Sequence, residues 1–278
     1  MINRILVPLD LSEYAEAATQ RACEIAKAHR AQVTGMVVVN TPELMGKSFG
    51  LHRLRAQHDK VDEAKLGAIK SRVEMALGKF CETCDTAIVP FVGDQVEGVP
   101  ADRLFETALY YDLAVVGLRT NFRFDLPDEE GLQPIGQDLD RTSTPVLAVP
   151  KGAQAPFKNA LVAFDGSVNA ARTLREFLDF QDPFEMNVTV LTQDADEERA
   201  TFINQQALAR VRAAGIHDPE GIIVSRRDII EAYEEELRGK FDLVVAGIHT
   251  KHALKDFVIG SFTTSLIQDG RTAVFLGQ

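Results

Sequence analysis

The sequence predicts an α/β protein made of two doubly wound, parallel-sheet domains in tandem. Three observations carry that expectation. The chain repeats three landmarks in the same order, which chance would not preserve. "RILVPLDLSEYAEAATQRACEIA" from Arg4 matches "NALVAFDGSVNAARTLREFLDF" from Asn159, pairing Asp10 with Asp165. "DLAVVGL" (Asp112–Leu118) matches "DLVVAGI" (Asp242–Ile248), and "TPVLAVP" (Thr144–Pro150) matches "TAVFLGQ" (Thr272–Gln278). Within each copy, strand-like and helix-like segments alternate, as in doubly wound sheets. The strand-like runs are continuous in Val, Ile and Leu, which suits parallel strands buried on both faces.

The elements of the first copy follow in order. "ILVPL" is a strand, and "SEYAEAATQRACEIAKAH" is a helix with Ala18, Ala22, Ile25 and Ala26 on one face. "QVTGMVVVN" is a second strand. "DKVDEAKLGAIKSRVEMALGKFCE" is a helix with Leu66, Ile69, Val73 and Leu77 at three-to-four spacing. "TAIVPFVG" reads as a third strand, "ADRLFETALYY" as a helix, "DLAVVGL" and "TPVLAVP" as the closing strands. Asp10 to Gly117 spans 107 residues and Asp165 to Gly247 spans 82, so the first copy carries 25 more. They are expected around "PELMGKSFGLHRLRAQHDK", after the second strand. The expected division is a first domain over 1–150, a linker over 151–157 in the Pro/Gly-bearing "PKGAQAPFK" stretch, and a second domain over 158–278. In the second copy, "DIIE" (Asp228–Glu231) has the form of a capping box and marks a helix start. "EAYEEELRGK" after it reads as a solvated helical face, acidic then basic along the dipole.

Composition narrows the partners. The 278 residues are comfortable for two domains, with 45% hydrophobic and 26% charged residues. Thirty Lys and Arg against 41 Asp and Glu leave a net charge of −11. Such a chain repels nucleic acid and anionic membranes unless it has a local basic patch, and no Lys/Arg run supplies one. The N-terminal apolar run is short and broken by Pro8 and Asp10, unlike a signal peptide. No apolar stretch approaches the ~20 residues that span a bilayer. Three cysteines imply no disulfide framework, and the cytoplasm is the expected location.

The segment with most chemical content is "GIHTKHALKDFVIGS", Gly247–Ser261, between the strand "FDLVVA" and the helix "SFTTSLIQD". Gly247 can leave the strand close to a ligand because it has no Cβ and tolerates positive φ. Gly260 and Ser261 begin a helix whose free N–H groups and dipole favour a phosphate. Lys251 and Lys255 could add charge. In doubly wound sheets ligands sit at the carboxyl ends of strands, near the switch point of strand order. Asp10 and Asp165 are placed on that edge. The plainer role for Asp165 is a helix cap, and the two roles can coexist. The plainer reading of the loop is an ordinary strand-to-helix connection.

With these residues the chain resembles the universal stress protein family in its tandem two-domain form, over essentially its whole length. The resemblance rests on "ILVPLD" and "ALVAFD", on "DLVVAG" before the glycine loop, and on "GSFTTSLIQDGRTAVFL". It implies a Rossmann-like fold of the adenine-nucleotide-binding type. The family's nucleotide-binding branch has Gly, two residues, Gly, nine residues, then Gly followed by Ser or Thr. Gly247, Thr250 and Gly260–Ser261 fall at those positions, with Thr250 replacing the middle glycine. The resemblance implies that Asp165, with Ala163 and Phe164, contacts the adenine and ribose side. It implies that Leu191 lines the base pocket and Ala246 touches the nucleotide. Ser261, Phe262 and Thr263 would lie on the phosphates. ATP is the implied ligand, accompanied by magnesium. Thr250 either donates its hydroxyl to a phosphate or blocks the site. Family members commonly dimerise through the last strand, so "PVLAVP" and "AVFLGQ" are expected to pair within one molecule as a pseudo-dimer. Further assembly into a homodimer stays open.

The first copy departs from this pattern. After Gly117 it reads "LRTNFRFDLPDEEGLQPIGQDLDRTSTP", and no Gly–Ser stands near Leu132–Gln133. Pro134 and the acidic run Asp128–Glu130 fall where a phosphate would dock. This site is therefore expected to be degenerate. Other constellations are weaker. "CETC" (Cys81–Cys84) has redox or zinc spacing but closes a helix pattern, and no second pair completes a zinc site. Cys23 reads as a core residue. His249 and His252 read as solvated loop histidines. Three functions are compatible: a nucleotide-binding sensor or regulator in the stress response, a slow ATPase or phosphotransferase, and a scaffold or carrier of another small molecule. Phosphoryl transfer needs a positioned base and metal ligand, and no convincing pair can be named, so the first reading leads.

Overall fold

The computed structural model describes residues 1–40, 55–121, 124, 132–134, 142–152, 156–225, 227–248 and 260–277, with backbone alone for 55–66. The first half runs β1 (Arg4–Pro8), α1 (Glu13–His29), β2 (Gln32–Val39), α2 (Arg55–Ala87), β3 (Phe91–Glu97), α3 (Pro100–Ala108) and β4 (Leu113–Gly117). A two-stranded ribbon, β5 (Arg119–Thr120) and β6 (Gln133–Pro134), precedes β7 (Val146–Val149). The second half runs β8 (Asn159–Ala163), α4 (Val168–Gln181), β9 (Asn187–Gln193), α5 (Glu197–Ala213) and β10 (Glu220–Val224). It continues with α6 (Ile229–Ala232), a π-helical turn (Tyr233–Leu237), β11 (Leu243–Gly247), α7 (Ser261–Asp269) and β12 (Ala273–Gly277).

Ten strands form one sheet, in the order β10-β9-β8-β11-β12-β7-β4-β1-β2-β3. Each half has the same internal order, third, second, first, fourth, last, and is parallel throughout. The halves meet where β12 pairs antiparallel with β7, Val274 opposite Ala148, Phe275 opposite Leu147 and Leu276 opposite Val146. This is the expected pseudo-dimer. It hides two strand edges that would otherwise invite pairing with another chain.

The apolar runs are buried on both faces, as continuous strands in a parallel sheet must be. Ile5, Val7, Ala160, Val162, Leu243 and Val245 join one core layer, which also takes Ala18, Ala22 and Ile25 of α1 and Leu174 and Phe177 of α4. Leu6, Leu161, Val244, Val274 and Leu276 face the other layer, with Leu104 of α3, Tyr233, and Phe262 and Leu266 of α7. A matched device holds β1 to β4 and β8 to β11. Asp112 Oδ2 accepts from the Asn3 and Arg4 amides at 2.8 and 3.0 Å. Asp242 Oδ2 accepts from the Lys158 and Asn159 amides at 2.9 and 3.2 Å. The Asp–Leu landmark repeats because in both halves it ties the start of the fourth strand to the start of the first.

The seam has side-chain contacts of its own. His29, at the end of α1, bonds through Nε2 to the Phe180 carbonyl at 2.8 Å. Its ring stacks on Phe180 and meets Phe184 edge-on. The buried Arg21 guanidinium lies 4.2 Å over the Phe157 ring.

Three expectations need correction or refinement. The third strand is Phe91–Glu97, not "TAIVPFVG". The helix before it continues to Ala87, because Cys84 is still fully buried in its packed face. Ile88 then turns the chain in a left-handed conformation (φ 57°), its side chain outside. The strand lies at the sheet edge, so Gly93, Asp94 and Gln95 are exposed and the apolar run is not the strand. Second, the extra length of the first half is partly helix: α2 has 33 residues where its counterpart α5 has 17. The remainder of the stretch, residues 41–54, lies outside the described residues. "EAYEEELRGK" also contributes to the core, through Tyr233 and Leu237.

Candidate functional site

Strand order reverses direction between β8 and β11 in the second half and between β1 and β4 in the first. Such switch points open at the carboxyl ends of the strands, where a ligand can sit. Asp165 and Asp10 stand at these two places with the same local construction. The Ser167 amide donates to Asp165 Oδ1 at 2.9 Å, and Ser167 Oγ accepts from the Ala170 amide at 3.1 Å, capping α4. In the first half, the Ser12 amide donates to Asp10 Oδ1 at 2.8 Å, and Ser12 Oγ accepts from the Ala15 amide at 3.2 Å, capping α1. The serine is the cap in each case, and the aspartate braces it through Oδ1.

Beyond that shared turn the halves differ. Asp10 is 7% exposed, and its Oδ2 accepts from the Asn121 amide at 2.6 Å. The segment after β4 folds back over the first strand's aspartate and occupies it. Its ribbon continues with Arg119 opposite Pro134 and Thr120 opposite Gln133, in the stretch where the second half reaches a helix start. Asp165, by contrast, is exposed. Gly166 beside it has φ 77°, a conformation that its counterpart Leu11 does not share. Leu11 packs against the core instead.

The second half adds a helix start at the same edge. α7 leads directly into β12, so it runs antiparallel to β12 and begins where the strands end. Gly247 pairs with Gly277 there. Gly260 is the N-cap residue (φ −54°, ψ 149°), with no side chain capping the helix. The first backbone bond runs from the Thr264 amide to the Gly260 carbonyl at 2.9 Å. The amides of Ser261, Phe262 and Thr263 precede it and point out of the helix toward the edge. Ser261 is exposed, while the side chains of Phe262 and Thr263 are buried. Phe262 packs edge-on against Tyr233, at 5.5 Å between ring centroids, and anchors the helix start.

Other residues with expected roles take the following places. Ala163 and Phe164 end β8, both half-buried, and the Phe164 amide donates to the Leu191 carbonyl at 2.9 Å. The Leu191 side chain is fully buried in the core, and β9 continues two residues past it to the exposed Gln193. Ala246 is 3% exposed, so it meets the edge through backbone. Gly247 is half-buried, and its φ is not positive. The reason for glycine there is close approach: a Cβ would stand 3.2 Å from Thr173 Oγ1 on α4. Thr250, Lys251, Lys255, His249 and His252 lie outside the described residues, as do Asp128–Glu130. Sequence reasoning missed Asn169, whose Nδ2 donates to the Ile248 carbonyl at 3.2 Å and ties α4 to the end of β11. It also missed the Asp–Gly turn at Gly166, a turn signal legible in the sequence.

The fold and this edge define a tandem α/β protein with a switch-point site in each half. Residues 1–123 match the model of the universal stress protein family. A universal stress protein from Archaeoglobus fulgidus is similar over 100% of this chain and 99% of its own, with TM-score 0.68 and 16% identity. A functionally unknown protein from Pseudomonas aeruginosa is similar over 99% of this chain and 92% of its own, with TM-score 0.60 and 13% identity. No curated protein matches the chain. The first 123 residues thus resemble the universal stress protein family, and the fold of the Archaeoglobus protein extends over the full length of this chain.

Proposed function

We propose that the chain binds an adenine nucleotide, ATP, at the strand edge of its second half and acts as a stress-response sensor or regulator. One observation carries the reading: Asp165 and the uncapped start of α7 share an open edge, while the equivalent Asp10 is covered by the chain's own Asn121. In this reading the amides of Ser261, Phe262 and Thr263 take phosphate oxygens at the positive end of the helix. The Ser261 hydroxyl adds a donor, and Thr250, which replaces the middle glycine of the loop, either donates its hydroxyl to a phosphate or blocks the site. Asp165 receives hydroxyls of the ribose. Ala163, Phe164, Leu191, Ala246 and Gly247 frame the base, with Leu191 and Ala246 acting through backbone. Magnesium would be held by the phosphates.

Among the described residues the groups offered here are backbone amides, the Ser261 hydroxyl and the Asp165 carboxylate, which suit a nucleotide. Efficient phosphoryl transfer asks in addition for a positioned base and metal ligands. Titration of the full chain with ATP and magnesium, followed by calorimetry and by phosphate release, tests both parts. Saturable binding without turnover is expected. No binding at millimolar ATP would overturn the site, and rapid phosphate release would overturn the regulatory reading.

A further inference from the structure

Away from the strand edge, α1 and α2 bring two cysteines together. Cys23 Sγ and Cys84 Sγ are 3.6 Å apart, joined across 61 residues of sequence. Cys84 is fully buried and Cys23 is 3% exposed. An open groove of about 520 Å³ runs between the two helices, and Cys23 forms part of its wall with Lys27, Lys79 and Thr83. Two thiols in contact, one of them at the wall of an accessible groove, are placed for more than packing.

We propose that Cys23 and Cys84 are a thiol-oxidation site, in which a small hydroperoxide enters the groove, oxidises Cys23, and the pair closes to a disulfide. The chemistry balances with hydrogen peroxide as oxidant. The Cys23 thiolate attacks one peroxide oxygen, the O–O bond breaks, and the departing hydroxide takes a proton to leave as water. Cys23 is then a sulfenic acid. The Cys84 sulfur attacks the Cys23 sulfur and gives up its proton, the S–O bond breaks, and a second water leaves as the S–S bond forms. Two thiols lose two electrons and one peroxide is reduced to two waters.

Access assigns the order, since Cys23 lines the groove and Cys84 lies behind it, and the electrostatics agree. The contact with the Cys84 sulfur, helped by Lys27, draws the Cys23 pKa below its ordinary value, against the opposing effects of burial and Glu24. The same bond, with burial, pushes Cys84 up, so it stays a thiol until it resolves the sulfenic acid. Thiolate character and access decide which cysteine is oxidised first, and both favour Cys23 over Cys84. Cys81, one turn earlier on α2 and half-buried, stands outside the contact pair.

The test is to treat the native full chain with a slight excess of hydrogen peroxide, quench it, and block remaining thiols with N-ethylmaleimide before unfolding. The expected result is loss of two of the three free thiols, a mass decrease of ~2 Da before alkylation, and a cross-linked peptide holding Cys23 and Cys84. Cys81→Ser should leave that cross-link intact. Cys84→Ser should leave a Cys23 sulfenic acid that dimedone traps. Retention of all three thiols would overturn the proposal. So would oxidation confined to Cys81, or a Cys81–Cys84 link with Cys23 still alkylated. The wild-type and Cys81→Ser results decide the matter even if Cys84→Ser does not fold.

Discussion

Asp10 and Asp165 occupy the same position in two copies of one fold, and both brace a serine that caps the following helix. The first is buried under the amide of Asn121, 111 residues along the chain, while the second stands exposed beside an uncapped helix start. A repeat therefore conserves the scaffold device and not the site. What separates the halves is the segment after the fourth strand. In the first half it returns as a ribbon over the aspartate, and in the second it leads into α7. One half has turned its switch point into internal structure, and in the other the equivalent aspartate stays exposed.

Substitutions can break this contrast. The largest effect is expected from Gly260→Asp. Its backbone already has N-cap geometry, so an aspartate there caps α7 with its own carboxylate and stabilises the helix by about 0.3 kcal/mol. The same carboxylate occupies the amides proposed for phosphate and repels it. Losing two charge-assisted hydrogen bonds at about 1.5 kcal/mol each weakens ATP roughly a hundredfold. Calorimetric titration with urea unfolding alongside checks that affinity falls while stability holds. Unchanged affinity would remove the site from α7.

The aspartates should next separate by stability. Asp10→Ala strands the Asn121 and Ser12 amides in a buried setting and should cost about 2 to 3 kcal/mol. Asp165→Ala loses an exposed brace and should cost about 1 kcal/mol or less, while lowering ATP affinity. Equal urea midpoints for the two variants would refute the asymmetry. The landmark glycines give a smaller contrast. A Cβ at Gly117 would stand 2.6 Å from Tyr14 Cβ and 2.9 Å from the Arg119 carbonyl oxygen. At Gly247 the nearest atom is Thr173 Oγ1 at 3.2 Å. Gly117→Ala should cost about 2 kcal/mol and Gly247→Ala under about 1 kcal/mol, as overpacking against backbone cannot relax.

The smallest effect concerns the seam. Burial lowers the His29 pKa from its ordinary value of 6.5, with the bond to the Phe180 carbonyl opposing. The unfolded chain then takes up its proton at a higher pH than the folded one. The stability this ring contributes is complete above about pH 6.5 and is lost as pH falls through the lower folded-state pKa. Comparing urea midpoints at pH 7.5 and 5.5 should show the loss. His29→Gln should flatten the part due to this ring, and an unchanged slope would show that His29 does not link the halves to pH.

The architecture was legible because burial leaves a periodic trace. Continuous apolar strands, helices with one small-residue face, and the twice-repeated Asp–Leu before the fourth strand all reflect contacts made within each repeat. The closing strands paired as expected because each carried an apolar run with an edge to cover. Around the site, the Gly260 helix start was readable for the same local reason, whereas Asp165, read as a helix cap, braces Ser167, which caps α4 instead. The covering of Asp10 by Asn121, the continuation of α2 to Ala87, and the meeting of Cys23 with Cys84 were not.

By itself, then, the sequence determined the repeat, the alternation of strands and helices within each half, and the missing Gly–Ser of the first copy. Periodicity and turn chemistry are local and survive in a linear string. The tertiary structure alone decided which aspartate is exposed, why an added Cβ is resisted more at Gly117 than at Gly247, and which two of three cysteines touch. Those outcomes depend on segments separated by tens of residues arriving within hydrogen-bond or van der Waals distance. No pattern along one segment records where the other will land.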